Sequence, residues 1–289
     1  MPGAKGHHKG VHMSWLIRVR LVASSVGAFL VLTLPLGGSV PSLAAGVPPL
    51  AKSSNVTVLG NVPTGPALGM NFKDHYAFIT GPAGLTVLDI IAPAAPAKVA
   101  FFPLPHFENE DVDLCGNLLL ITNDRESRDL GAILYVLSIA SPTQPELLAA
   151  LPLGLTGQGR GACHIANFVK PDCTQAWIDG GNLVEVVDLT IPSQPRSLGK
   201  FESVASRSDA FMVTHDTEAD PKGMLWSVGG GGAAGYRLTA DPLNPEFVAS
   251  TSPDGINPSP FNDFILHNSQ RNGNVLLITE EDYVDTDET

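Results

Sequence analysis

The chain has 289 residues, with 17 Lys and Arg against 29 Asp and Glu, and a formal net charge of −12. So acidic a balance would be repelled by a phosphate backbone, which excludes nucleic acid as a partner. The 44% hydrophobic content is enough for a sizeable packed core. Taken in order, residues 1–44 carry Lys5, Lys9, Arg18 and Arg20 and no acid, and 22–36 (VASSVGAFLVLTLPL) is almost wholly apolar. Small residues follow at 42–45 (SLAA). A basic region, an apolar core and a small-residue cleavage site make a secretory signal peptide, with cleavage placed after Ala44. An uncleaved anchor is the alternative, although an apolar core of about fifteen residues is short for a span of roughly 20. There is no Arg-Arg pair, so the general secretory route is expected. The leader takes four cations and no carboxylate with it, so the mature chain is at −16 and has no further span.

After a linker at 45–54, four units of nearly equal length follow. Each has a Pro-x-x-Pro step: Pro93/Pro96, Pro142/Pro145, Pro192/Pro195 and Pro242/Pro245, at intervals of 49, 50 and 50 residues. A β-like run precedes each step (85–90 LTVLDI, 134–139 LYVLSI, 184–189 VEVVDL, 236–238 YRL) and another follows it. Earlier in each unit lies a run at 75–80, 117–122, 174–178 and 223–228, and before that a first strand around 67–72, 112–115, 162–168 and 210–214. Trp177 and Trp226, 49 apart, share this register as inter-blade packing residues. Four short strands per unit at a period near fifty predict an all-β fold, a β-propeller with four visible blades. A parallel β-helix is excluded by its much shorter coils. A partial fifth unit begins at 264–266 and continues at 274–279 (NVLLIT), without its own proline step. The stretch 55–62 (NVTVLGNV) reads as an outermost strand with nothing before it. The ring either closes irregularly with five blades or belongs to a longer propeller, and 284–289 is an acidic tail or a truncation point.

With these strands leading into Pro-x-x-Pro, the chain resembles the LVIVD-repeat family over residues 55–283, with 85–89 (LTVLD) and 184–188 (VEVVD) as its nearest matches. The aspartate of that pattern is replaced by Ser138 and Leu238 in the other two units. The resemblance implies an exported or surface-attached propeller; it carries no established reaction and no catalytic residue.

Three cysteines remain in the mature chain, and Cys163 and Cys173 flank a short hairpin-like segment, so a disulfide is expected between them with Cys115 left over. Among the histidines, His164, His215 and His267 recur at intervals of 51 and 52 residues near the first strand of successive units. Asp216 and Asn268 follow two of them, and the second unit has Glu110 and Asp111 in an acidic stretch at 108–111 (ENED). If the first strand is innermost, these groups ring one mouth of the channel. Imidazoles converging with carboxylates are the ligand set of a divalent transition metal, here on His164, His215 and His267. Polar channel lining and plain hydrogen-bonded structure are the other readings. The Gly229–Gly232 run lacks the Lys-Ser/Thr of a phosphate loop and reads as a turn, and the acids at 280–288 read as a solvated tail. Two functions are therefore expected. One is an exported scaffold binding a protein, glycan or small-molecule ligand. The other is a metal-dependent hydrolase or oxidoreductase at the histidine ring.

Overall fold

In the computed structural model the described residues are 53–106, 108–124, 132–153, 163–207, 213–251 and 264–282. Residues 1–52, where the leader and most of the linker are expected, lie outside them, as does 283–289. Two compact units are present, Met1–Val56 and Thr57–Thr289, and every strand belongs to the second. Blade 1 is β1 (Met70–Lys73), β2 (Tyr76–Gly81), β3 (Gly84–Asp89) and β4 (Ala97–Pro103). Blade 2 is β5 (Val112–Cys115), β6 (Leu118–Asn123), β7 (Ala132–Ser138) and β8 (Glu146–Leu153). Blade 3 is β9 (Ala166–Phe168), β10 (Gln175–Ile178), β11 (Val184–Asp188) and β12 (Arg196–Phe201). Blade 4 is β13 (Thr214–Ala219), β14 (Leu225–Gly229), β15 (Gly232–Arg237) and β16 (Glu246–Ser250). Blade 5 is the hairpin β17 (Phe264–Asn272) and β18 (Val275–Asp282). Every sheet is an antiparallel meander in chain order, and the fold is all-β with propeller-type blades. Among the described residues there is one helical turn, at Val204–Ser206, and no helix long and apolar enough to cross a membrane.

The proline steps have a shared geometry. In each blade the residue before the first proline accepts the hydrogen bond of a four-residue turn, donated by Ala95, Gln144, Gln194 and Asn244 at 2.7–3.1 Å. Proline at the second turn position presets φ for that turn, and the second proline precedes an outer strand where a missing N–H is tolerated. The motif aspartate secures the entry: Asp89 and Asp188 each accept the N–H two residues on, at 2.9 Å. Ser138, which replaces it in blade 2, accepts from Ala140 at 3.4 Å. A bulge recurs as well, between Val87/Leu88, Val136/Leu137, Val186/Val187 and Gly235/Tyr236. It leaves Val99, Leu148, Leu198 and Val248 unpaired on the outer strands.

The first three of those residues pack into the seam with the next blade. Val99 joins the core shared by blades 1 and 2 (Phe78, Leu85, Leu119, Ile121). Leu148 joins that of blades 2 and 3 (Leu134, Val136, Ala176, Ile178), and Leu198 that of blades 3 and 4 (Trp177, Phe201, Leu225, Tyr236). Val248, beside the two-stranded blade 5, is 38% exposed. The second and third strands are buried on both faces: blade 3 lies between blades 2 and 4, and Val62 packs on Ala77, Ile79 and Leu88 on the other side of blade 1. Successive first strands touch, β1 against β5, β5 against β9, β9 against β13 and β13 against β17, so the blades fan about one inner rim.

Three expectations are corrected. The disulfide joins Cys115 to Cys173, across 58 residues, and not Cys163 to Cys173. Cys173 sits in the β9–β10 turn with a φ of 62°, beside the end of β5, whereas Cys163 is buried in the blade 2–3 core with its thiol on Ile133 O at 3.4 Å. Proximity in sequence was the wrong guide, because the seam brings neighbouring blades closer than the hairpin brings its own ends. The stretch 55–62 forms no strand; Val58 and Leu59 are exposed. The first strand of blade 4 begins at Thr214 instead of ending there.

Candidate functional site

Two of the three histidines owe their aim to a bulge in an innermost strand. The pairing of β13 with β14 skips His215, and that of β17 with β18 skips His267. An extra, unpaired residue leaves the alternating pleat and directs its side chain where a regular strand would not. His164 precedes β9, its N–H donating to Asp179 O at 3.0 Å. Gly180 lies against it with a φ of +109°, and a Cβ there would come within 2.4 Å of His164 Cβ, so only glycine admits this ring.

The three imidazoles meet. His164 Nε2 lies 2.9 Å from His215 Nε2, with the rings edge to face. The His215 and His267 ring centroids are 4.0 Å apart. Glu281 joins them, its Oε2 lying 3.9 Å from His215 Nε2 and 3.7 Å from His267 Nε2. On the other flank, His164 Nδ1 lies 3.4 Å from Asp124 Oδ2.

The two facing nitrogens need one proton between them. Burial and the nearby His164 and His267 push His215 down to about 2, so it is neutral. Burial also opposes charge on His164, but the bond to Asp124 and the charges of Glu110, Asp124 and Glu108 outweigh it and raise its pKa. The proton is therefore assigned to His164, which donates to His215. Among the described residues His215 Nδ1, by contrast, has no well-formed hydrogen bond, although the His267 backbone lies near the ring.

The remaining expected residues divide. Glu110 acts on His164 through its charge. Asp111, Asp216 and Asn268 turn instead into a belt that links the blades. Asn268 Nδ2 donates to Asp216 Oδ2 at 2.9 Å, Asn167 Nδ2 to its Oδ1 at 2.8 Å, and Ala166 N to Asp111 Oδ2 at 3.4 Å. Asn71 Nδ2 and Phe168 N both donate to Asp113, at 3.2 and 2.7 Å. Burial raises Asp111 and Asp216 well above the carboxylate range, Asp113 to about 6 and Glu218 to about 7, with mutual repulsion adding to most of them.

Asp124, Asp179 and Glu218 were not singled out from the sequence, and Glu281, expected in a solvated tail, lies instead in β18 beside the histidines. A signal existed for Asp124 and Glu281: 117–124 (NLLLITND) and 274–281 (NVLLITEE) align residue for residue, setting Asp124 opposite Glu281. One nitrogen from each of His215 and His267 and one Glu281 oxygen lie within 4.8 Å of one another. Ligand bonds of about 2.0–2.1 Å place neighbouring donors roughly 3.0–3.4 Å apart, so a small contraction would let this trio hold a divalent ion with an open position. A cleft on blade 1 lined by Thr64, Ile79, Thr80, Thr86, Lys98 and Phe101 shares none of these residues.

No protein family description matches the chain, and no curated protein is similar to it. Solved structures similar to it include a candidate 6-phosphogluconolactonase of Bacteroides uniformis, 10% identical with a TM-score of 0.46 over 64% of this chain and 55% of that one. The periplasmic gluconolactonase PpgL of Pseudomonas aeruginosa is 16% identical, with a TM-score of 0.43 over 66% of this chain and 59% of that one. Regucalcin of Agrobacterium tumefaciens, described as a calcium-binding protein, is 16% identical with a TM-score of 0.40 over 70% and 67%. The chain thus spans little more than half the length of the first two.

Proposed function

We propose that this chain is an exported LVIVD-type propeller that holds a divalent transition metal on His215, His267 and Glu281 and works as a metal-assisted hydrolase. The convergence of two bulge-directed imidazoles and a carboxylate from β18 carries the reading. Two imidazoles and a carboxylate with a position left open are the donor set of catalytic rather than structural zinc. An ion there would polarise a substrate carbonyl and acidify a bound water. His215, neutral by burial, offers its lone pair once the proton donated by His164 moves aside. Asp124 holds His164 from behind through Nδ1, which orients the ring and stabilises its charge. The Cys115–Cys173 disulfide supports an oxidising compartment and hence export by the leader at 1–44. A non-enzymatic scaffold is the second reading, favoured by the exposed apolar residues Leu68, Met70 and Phe72 on one face of blade 1.

Metal analysis of the purified protein tests the choice. About one transition-metal ion per chain is expected, removed by His267→Ala, together with chelator-sensitive hydrolysis of simple esters or lactones. A protein that takes up no Zn²⁺ at micromolar concentration would leave the scaffold reading.

A further inference from the structure

On the far side of His164 from His215 lies another set of ligating groups. Glu108, in the segment before β5, and Asp124, just past β6, each bring an oxygen within 4.8 Å of the other and of a His164 nitrogen. None of the three belongs to the His215, His267 and Glu281 set. Their positions are fixed from beneath by buried polar bonds. The fully buried Asn109 donates to Gly81 O at 2.8 Å and Leu104 O at 2.6 Å, and accepts from Asn123 Nδ2 at 2.6 Å. Asn109 follows Glu108 and Asn123 precedes Asp124, so a single side-chain bond sets the distance between the two carboxylates. Thr122 donates its hydroxyl to His164 O at 2.6 Å, tying the third group to the same strand end. His106 Nδ1 accepts from the N–H of Glu108 at 3.1 Å and closes the turn that presents it. Ligands held by a buried second layer of hydrogen bonds are what separates a built site from a chance meeting of charges.

We propose that Glu108, Asp124 and His164 bind a second divalent cation, of the harder class that Mn²⁺ represents. Two carboxylates this close repel one another, and even with a protonated imidazole the trio is negative, a balance that a divalent ion reverses. Oxygen donors in the majority favour Mn²⁺ or Mg²⁺, whereas the imidazole-rich first set favours Zn²⁺. The inference goes beyond the reading above, since it uses none of the first set. The two sites nonetheless touch at the 2.9 Å contact of His164 and His215. An ion on His164 Nδ1 leaves a hydrogen on Nε2 facing a nitrogen that the first ion also claims. The rings must part for both ions to sit, so each ion weakens the other's binding.

Mn²⁺ binding to the full chain, counted by electron paramagnetic resonance, tests this. The double variant His267→Ala, Glu281→Gln lacks the first set and is expected to bind one Mn²⁺ per chain. Adding Glu108→Gln or Asp124→Asn, whichever keeps the parent melting temperature, should weaken that binding at least tenfold. A double variant that binds no Mn²⁺, or keeps its ion unchanged after both further substitutions, would overturn the proposal. The reciprocal variant Glu108→Gln, which leaves the Asp124–His164 contact behind the first set in place, separates the two readings. If it fails to bind Zn²⁺ while the first double variant binds Mn²⁺, the proposed function falls and the second site stands.

Discussion

The seams between blades and the inner rim where they converge are buried to a similar degree by opposite means. In the seams Phe78, Leu85, Leu119, Leu134 and Trp177 are wholly enclosed, and apolar contact is what they offer. At the rim Thr214, His215, Asp216, Thr217 and Asp179 are just as enclosed and polar throughout. Among the described residues neither oxygen of Asp179 has a well-formed hydrogen bond, although the Thr214 and Thr217 hydroxyls lie near, and burial raises it to about 7. Each such orphaned group costs about 1–3 kcal/mol. The orphaned groups of the rim are therefore held in place by the seams and by the polar belt beside them. Chemistry concentrates where the fold is least comfortable.

That division can be broken from either side. The largest effect is expected from Trp177→Ala. The indole packs edge-on against Phe201 at 4.7 Å and Tyr236 at 6.0 Å, bridging blades 3 and 4. Denaturant unfolding should lose about 3–5 kcal/mol; a loss below about 1 would show that the seam does not carry the stability. Cys115→Ser opens the covalent clasp between blades 2 and 3, and about 2–4 kcal/mol should go with it. An unchanged midpoint under reducing and oxidising conditions would refute that role.

The smallest effect has the opposite sign. Glu218, raised from 4.5 to about 7 by burial and by Asp113 and Asp111, binds its proton more tightly when folded than unfolded. Its favourable contribution is therefore complete below about pH 4.5 and is lost as pH rises through about 7. Replacing it by Gln should stabilise the protein by on the order of 2 kcal/mol at pH 8 and by nothing near pH 4. A stability difference that does not change between those pH values would contradict a costly rim.

The seams were legible in the sequence because apolar strands and prolines are copied with the period. Trp177 and the four proline turns fall where the fifty-residue ruler puts them. The rim was legible in part. The histidine spacing pointed to one mouth, but β13 (THDTEA) shows no apolar alternation, and the strand was expected over 210–214. Its polar side chains are buried by neighbouring blades, which no local pattern encodes. The same ruler laid along the second strands would have paired Asp124 with Glu281, yet the acids after Thr279 looked like the start of a solvated tail. Cys115 was left unpartnered because contacts between blades, unlike those within a hairpin, leave no short-range signature.

The bulges at His215 and His267 carry a consequence for how such a protein changes over generations. One inserted codon in an innermost strand adds a side chain that aims out of the pleat and leaves the alternation on either side intact. Deleting residue 215 would close the bulge and leave Thr214 and Asp216 in unbroken register opposite Gly229 and Val228, so that the imidazole alone is lost. Gain or loss of a ligand in this architecture can thus proceed by insertion and deletion as readily as by substitution. Alignments of such repeats that penalise single-residue gaps would hide the positions where their chemistry is made.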